Sequence, residues 1–191
     1  MQLRGHPIDA DNMPGGREWE WGRMPDQRSF DRFTVADLNH LAEVAEADLA
    51  DFVRRNPKHR TLLKRRLCVL LCQGAALHYV DRKNGVKDFD VGSFFSDDGK
   101  SPHYPARVIH ARPFERASFR TSTRRIDLLG RTLKVTAKAD AVETVQSYLE
   151  RGATSSARHL STKAVVVLEP ASRRGEVIWP LRSRTPVSLH R

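Results

Sequence analysis

Two aspartates have the residue type and the spacing to hold divalent cations. Asp88 and Asp90 lie in the segment DFDVGSFF (88–95), in which polar and apolar residues alternate as they do in a strand. Because successive side chains of a strand point to opposite faces, the two carboxylates share one face, with Cα atoms roughly 6.5–7 Å apart. Carboxylates held this close repel each other unless a cation lies between them. Oxygen-only ligands favour Mg²⁺ or Mn²⁺ over zinc.

A third aspartate, Asp127, lies inside the apolar stretch IDLL (126–129). An acid within an apolar strand either points to solvent or serves a purpose. If the strand of Asp127 lies beside that of Asp88 and Asp90, the three carboxylates form one site. The residues alone leave an alternative open, because an acid-x-acid pair is also typical of an edge strand with an acidic solvent-exposed face.

The elements that must position these acids follow from hydrophobic periodicity and from helix and turn signals. A helix over 34–56 begins at Thr34, which forms a capping box with Asp37, and Pro57 ends it. The spacing predicts a buried strand at 67–72, a short helix at 75–80, strands at 88–95 and 124–135, a helix at 139–151, and two strands at 162–170 and 175–181. An irregular tail (1–30), one domain (31–182) and a basic tail (183–191) complete the predicted organisation.

The order of these elements resembles the nucleotidyltransferase superfamily, the polymerase-beta-like fold. The signature of that family is a hydrophobic strand, Gly-Ser or Gly-Gly at a helix start, an acid-x-acid strand, and a later acid between apolar residues. Here Gly74-Ala75 occupies the glycine pair, and twelve residues (76–87) separate it from Asp88-Phe89-Asp90. Ile126-Asp127-Leu128 matches the last part of the signature. The resemblance covers about residues 62–135.

The resemblance implies an α+β fold with a nucleotidyltransferase-like mixed sheet and helices packed on one side. It implies transfer of a nucleoside monophosphate from an NTP to an acceptor hydroxyl on RNA, a protein or a small molecule. Asp88 and Asp90 would hold two Mg²⁺ (or Mn²⁺) ions, and Asp127 would join the catalytic ion and help deprotonate the attacking hydroxyl. Gly74 and Ala75 would let backbone N–H groups approach the triphosphate at a helix N-terminus.

Two residues depart from the family pattern. Ala75 replaces the usual Ser or Gly, which removes a hydroxyl that can contact a phosphate, and Gln73 stands where an apolar residue is common. These departures keep open an alternative function, a catalytically silent module of the same fold that binds nucleic acid or a partner protein. An unrelated α+β interaction protein is a third interpretation.

The charge of the chain is strongly asymmetric. Its formal net charge is +10, yet residues 1–99 hold 15 Lys/Arg and 16 Asp/Glu, whereas residues 100–191 hold 18 and 7. A field of this sign attracts polyanions such as RNA through counterion release. The alternative is an ordinary solvated surface.

Several classes of protein and site are disfavoured by the sequence. No apolar run approaches the length of a membrane helix, and the N-terminus lacks the apolar segment of a secretory signal. Cys68 and Cys72 are expected to be packing residues, so a reducing cytoplasm is the default location.

His78 is likewise expected to pack in the core. Surface charge is the preferred interpretation of Arg124 and Arg125, with phosphate binding as the alternative. The length of 191 residues suits one domain, and no pattern indicates an oligomeric state.

Overall fold

The computed structural model of the protein describes residues 28–102, 104, 110–114, 124–134 and 140–180. Most of the predicted N-terminal tail and all of the predicted C-terminal tail lie outside this part. Residues 28–30 are described, and here Ser29 forms an isolated bridge with Val86. None of the described helices is both long enough and apolar enough to cross a lipid bilayer.

Five α-helices and six strands make up the described fold. The helices are α1 (Val35–Arg55), α2 (Leu62–Arg65), α3 (Gln73–Asp81), α4 (Ala141–Arg151) and α5 (Ser155–Leu160). The strands are β1 (Arg66–Cys72), β2 (Asp88–Ser96), β3 (His110–Phe114), β4 (Arg124–Leu133), β5 (Ala164–Glu169) and β6 (Val177–Trp179). Short 3-10 turns lie at Pro57–His59 and Ala171–Arg173.

The six strands form one mixed sheet in the order β3-β4-β2-β1-β5-β6. The pair β2 and β4 is parallel, and every other neighbouring pair is antiparallel. The expectation of an α+β protein with a mixed sheet is therefore confirmed at this coarse level. The order also places β2 and β4, the two strands that carry the aspartates, side by side.

Helices cover both faces of the sheet, which corrects the expectation that they pack on one side. On the first face, Leu41 of α1 and Ala76 of α3 pack in one core with Val69 of β1. On the opposite face, Val145 of α4 packs in a second core with Leu70 of β1. The physical reason is that β1 and β5 are apolar at nearly every position, so both of their faces must be covered.

Most of the predicted elements are present, with ends that differ by a few residues. The capping box of α1 is confirmed, since Thr34 Oγ1 accepts from the backbone N–H of Asp37 while the Asp37 carboxylate accepts from the N–H of Thr34. Cys68 and Cys72 are free and buried, as expected for packing residues. Helix α5, a short helix whose first turn is capped by the Thr154 side chain, was not predicted from the sequence.

Candidate functional site

The three predicted aspartates lie on one face of two neighbouring parallel strands. In the register of β2 and β4, Asp90 is opposite Asp127, and Asp88 is opposite Arg125. Since each strand alternates, these four side chains form two adjacent rows on a single face of the sheet. This face is the one covered by α4 and α5. Phe94 lies four residues beyond Asp90 and so on the same face of β2, and it belongs to the core that those two helices cover.

Arg125 is a cation that faces two of these carboxylates, those of Asp127 and Asp88. Its Nη2 atom is 2.6 Å from Oδ2 of Asp127 and 4.0 Å from Oδ2 of Asp88. About half of the Arg125 side chain is exposed. From the sequence, Arg125 was interpreted as ordinary surface charge, and its contact with these acids was not predicted. The signal was present, because residues two apart in a strand share a face.

Asp127 is nearly fully buried, with 6% of its surface exposed. Its Oδ2 atom accepts a hydrogen bond from Arg125. Its Oδ1 atom is buried and has no hydrogen-bond partner in the part of the chain that the structure describes. A buried carboxylate oxygen without a partner is costly in an ordinary core, and a water molecule or an ion could supply the missing contact.

Asp90 is held in an environment that disfavours its charge. Burial, with further contributions from the charges of Asp88 and Asp127, raises the pKa of Asp90 to about 6. The charges of Lys163 and His159 act in the opposite direction. The three carboxylates are therefore close enough to repel one another, and a bound cation would relieve that repulsion.

The glycine turn, which is the start of α3 at residues 73–75, lies next to the carboxylate cluster of Asp88, Asp90 and Asp127. Cys72, the last residue of β1, is opposite Asp90, and α3 begins at the following residue. A Cβ atom built on Gly74 would meet no atom within 4 Å beyond its own chain neighbours and helix turn, and Gly74 is not among the glycines with positive φ. Neither packing nor backbone conformation therefore requires glycine here. Open space in front of Gly74 is what the approach of a ligand to the backbone needs.

Ala75, the second residue of the predicted pair, lies differently. It is 1% exposed and belongs to the core beneath α1 and α3. The Ala75 methyl group therefore packs inside the protein, and only the backbone of Ala75 could contact a ligand.

Gln73 fixes the position of the turn. Its backbone has a φ of 59°, a left-handed conformation that non-glycine residues seldom adopt. Its side-chain Nε2 donates a hydrogen bond to the backbone carbonyl of His159 at 2.8 Å, and its backbone forms an isolated bridge with Ala164. The start of α3 is thus tied to the end of α5 and the start of β5. A strained residue held by such contacts is characteristic of functional sites.

A cavity of about 270 Å³ opens between the sheet and α5 beside the acids. Two of its lining residues, Gly92 and Leu129, follow Asp90 and Asp127 by two positions along their strands and so share their face. The apolar part of the lining also includes Cys72, Phe94 and Leu160, and the polar part is Arg131, Ser155, Ser156 and His159. A small molecule in this cavity would have one end next to the carboxylates.

The functional interpretation depends on this geometry alone, because no family model, curated protein or solved structure matches the chain. In the present side-chain arrangement, no group of three or more His, Cys, Asp or Glu residues within the described ranges is placed to hold a metal ion.

The histidine expected to be a packing residue, His78, is 1% exposed, and both of its ring nitrogens are hydrogen-bonded, to the Gly85 N–H and the Asp31 carbonyl.

Proposed function

We propose that the protein is a metal-dependent nucleotidyltransferase that moves a nucleoside monophosphate from an NTP to an acceptor hydroxyl. The observation that carries this proposal is the placement of Asp88, Asp90 and Asp127 on one face of two adjacent parallel strands. Next to them lies the open turn at Gly74. Nucleotidyl transfer needs both features, a cluster of carboxylates for cations and a backbone surface that a polyphosphate can approach.

The residues present fit divalent cations. The donors are carboxylate oxygens, which suit Mg²⁺ or Mn²⁺, and the unpartnered Oδ1 of Asp127 is a buried oxygen that needs a ligand. Asp88 and Asp90 would hold both ions, and Asp127 would hold one. When bound, such ions stabilise the charge on the attacking and leaving oxygens of an in-line displacement.

In the proposed reaction, the bond from the acceptor oxygen to the α-phosphorus forms, and the bond from that phosphorus to the bridging oxygen of the leaving group breaks. The electron pair of the broken bond leaves with pyrophosphate. Asp127 would use one carboxylate oxygen for an ion and the other to accept the proton of the attacking hydroxyl. Arg125 must leave Asp127 before this step, and its half-exposed side chain is able to move into solvent. The cavity beneath α5 then receives part of the nucleotide or of the acceptor.

One observation favours a second candidate, a catalytically silent module of the same fold. The Arg125 guanidinium already neutralises Asp127, which is the task proposed for a metal ion. If this ion pair is permanent, the acids serve stability, and the protein acts by binding a nucleic acid or a partner protein. The two candidates differ in whether Arg125 gives way to a divalent cation.

The test is transfer of label from each of the four α-phosphate-labelled NTPs, with Mg²⁺ or Mn²⁺ and cell extract as the source of acceptor. We expect the wild-type protein to label an acceptor and Asp127→Asn to reduce the rate at least about 100-fold, as expected for loss of a catalytic base. Asp51→Asn is the matched control, since Asp51 pairs with arginines on the surface of α1. Equal labelling by wild type and Asp127→Asn would reveal a contaminant. No labelling with any nucleotide would favour the silent module.

A further inference from the structure

The chain between α5 and β5 lies beside the glycine turn. Gln73 forms a bridge with Ala164, and the Gln73 side chain donates to the backbone carbonyl of His159. Lys163 immediately precedes Ala164, so its backbone is next to the start of α3. A single lysine therefore borders the turn on the side opposite the strand of Asp88 and Asp90.

Lys163 lies immediately before β5, and the alternation of that strand indicates the face on which its side chain lies. Val165 and Val167 of β5 belong to the core beneath α4 and α5, whereas Ala164 and Val166 belong to the opposite core. Extended by one residue, this alternation puts Lys163 on the same face as Val165. Across that face, four residues on neighbouring strands are paired in turn: Asp127 with Asp90, Asp90 with Cys72, and Cys72 with Val165.

Lys163 is exposed, and no ion pair at contact distance joins it to another residue within the described ranges. Its charge nevertheless acts at the site. Burial raises the pKa of Asp90, and the charges of Lys163 and His159 both act to lower that pKa. Two strand spacings, about 10 Å, separate the Cα atoms of Val165 and Asp90. Lys163 is two residues from Val165 along the chain, so its long, flexible side chain has to extend toward the acids to bring its ammonium group near them.

We propose that Lys163 binds the polyphosphate of the nucleotide in the open space in front of Gly74. The inference rests on the proposed function and names a residue that the sequence pattern did not indicate. When the bond between the α-phosphorus and the bridging oxygen breaks, Lys163 neutralises the charge that remains on pyrophosphate.

Binding of inorganic tripolyphosphate, measured by calorimetry with and without Mg²⁺, tests this contact without requiring catalysis. We expect Lys163→Met to weaken binding at least about tenfold, since a hydrogen bond to a charged group contributes on this scale. Lys163→Arg retains the charge and should stay within about threefold of wild type. Lys64→Met, which removes an exposed lysine from α2, is the matched control and should bind as wild type does. Melting temperatures of all variants check that the fold is intact.

The outcomes separate this inference from the proposed function. If Lys163→Met binds tripolyphosphate as tightly as wild type, or if wild type does not bind it at all, the inference is wrong, whatever the transfer assay gives. If tripolyphosphate binding depends on Lys163 but no nucleotide transfers label, the polyphosphate site stands and the transferase proposal fails. If transfer occurs, Lys163→Met should raise the KM for NTP, and an unchanged KM and kcat would contradict the assignment.

Discussion

The guanidinium of Arg125 contacts the carboxylate of Asp127 at 2.6 Å, on the face of the sheet where we propose that divalent cations bind. The two residues lie two positions apart on β4, and the same Arg125 nitrogen is 4.0 Å from Asp88. Arg125 and a metal ion at the proposed site would therefore compete for the same oxygens. This competition makes the state of Arg125 measurable through the response of the protein to Mg²⁺.

Replacing Arg125 by Met should have opposite effects without and with metal. Without metal, the variant loses the cation that faces Asp127 and should be destabilised by about 1 kcal/mol, a modest value because the arginine is half exposed. With Mg²⁺, no ion pair has to be broken, so the rise in melting temperature should exceed that of wild type. Thermal unfolding with and without Mg²⁺ measures both effects.

Arg54→Met is the matched control for that experiment, because Arg54 also pairs with an aspartate but lies on the exposed surface of α1. Its response to Mg²⁺ should equal that of wild type. If neither wild type nor Arg125→Met is stabilised by Mg²⁺, the carboxylates do not hold the ion, and the silent module becomes the better interpretation.

Asp90→Asn should stabilise the metal-free protein in a pH-dependent manner. The pKa of Asp90 is raised to about 6 from the ordinary value of 3.8 for an aspartate, so the native state binds this proton more tightly than the unfolded state does. The wild type therefore loses stability as the pH rises through this interval. The stability gained by the variant should be close to zero near about pH 4 and reach about 1–3 kcal/mol above about pH 7. Denaturant unfolding at several pH values measures the difference, and a gain that does not vary with pH would contradict the proposed cause.

Gly74→Ala should separate folding from ligand binding. The added methyl group has open space and the backbone needs no positive φ, so the fold should be unchanged or more stable by up to about 1 kcal/mol, because alanine is the better helix former. The same methyl group occupies the space that we assign to polyphosphate, and NTP affinity should fall at least about tenfold. Chemical denaturation and nucleotide titration measure the two effects. A loss of stability together with unchanged affinity would mean that Gly74 has a structural role.

The basic second half of the chain predicts salt-sensitive binding of RNA. If the excess charge of residues 100–191 contacts phosphates, log K for single-stranded RNA should fall with log salt with a slope of roughly 0.7 per phosphate neutralised. Titrations between about 50 and about 200 mM salt measure this slope. Absence of binding at the lowest salt concentration would leave a protein or a small molecule as the acceptor.

Local patterns in the sequence were sufficient for most elements and for the face shared by two of the acids. The capping box at Thr34, the helical spacing that follows it and the alternation of Asp88 and Asp90 depend on residues a few positions apart. The same local rule could have placed Arg125 beside Asp127. The near-continuous apolar runs of β1 and β5 could likewise have indicated that helices cover both faces of the sheet.

The tertiary structure alone decided which strands are neighbours and in what register. The pairing of Asp90 with Asp127 joins positions 37 residues apart, and the contact of Gln73 with His159 joins positions 86 apart. Periodicity specifies the face on which a side chain lies, but not the strand beside it. Strand pairing is selected by the burial of both apolar faces at once, and a shift of one residue would turn Asp127 away from Asp90. The amino-acid sequence thus determined which residues can do chemistry, and long-range packing determined which of them meet.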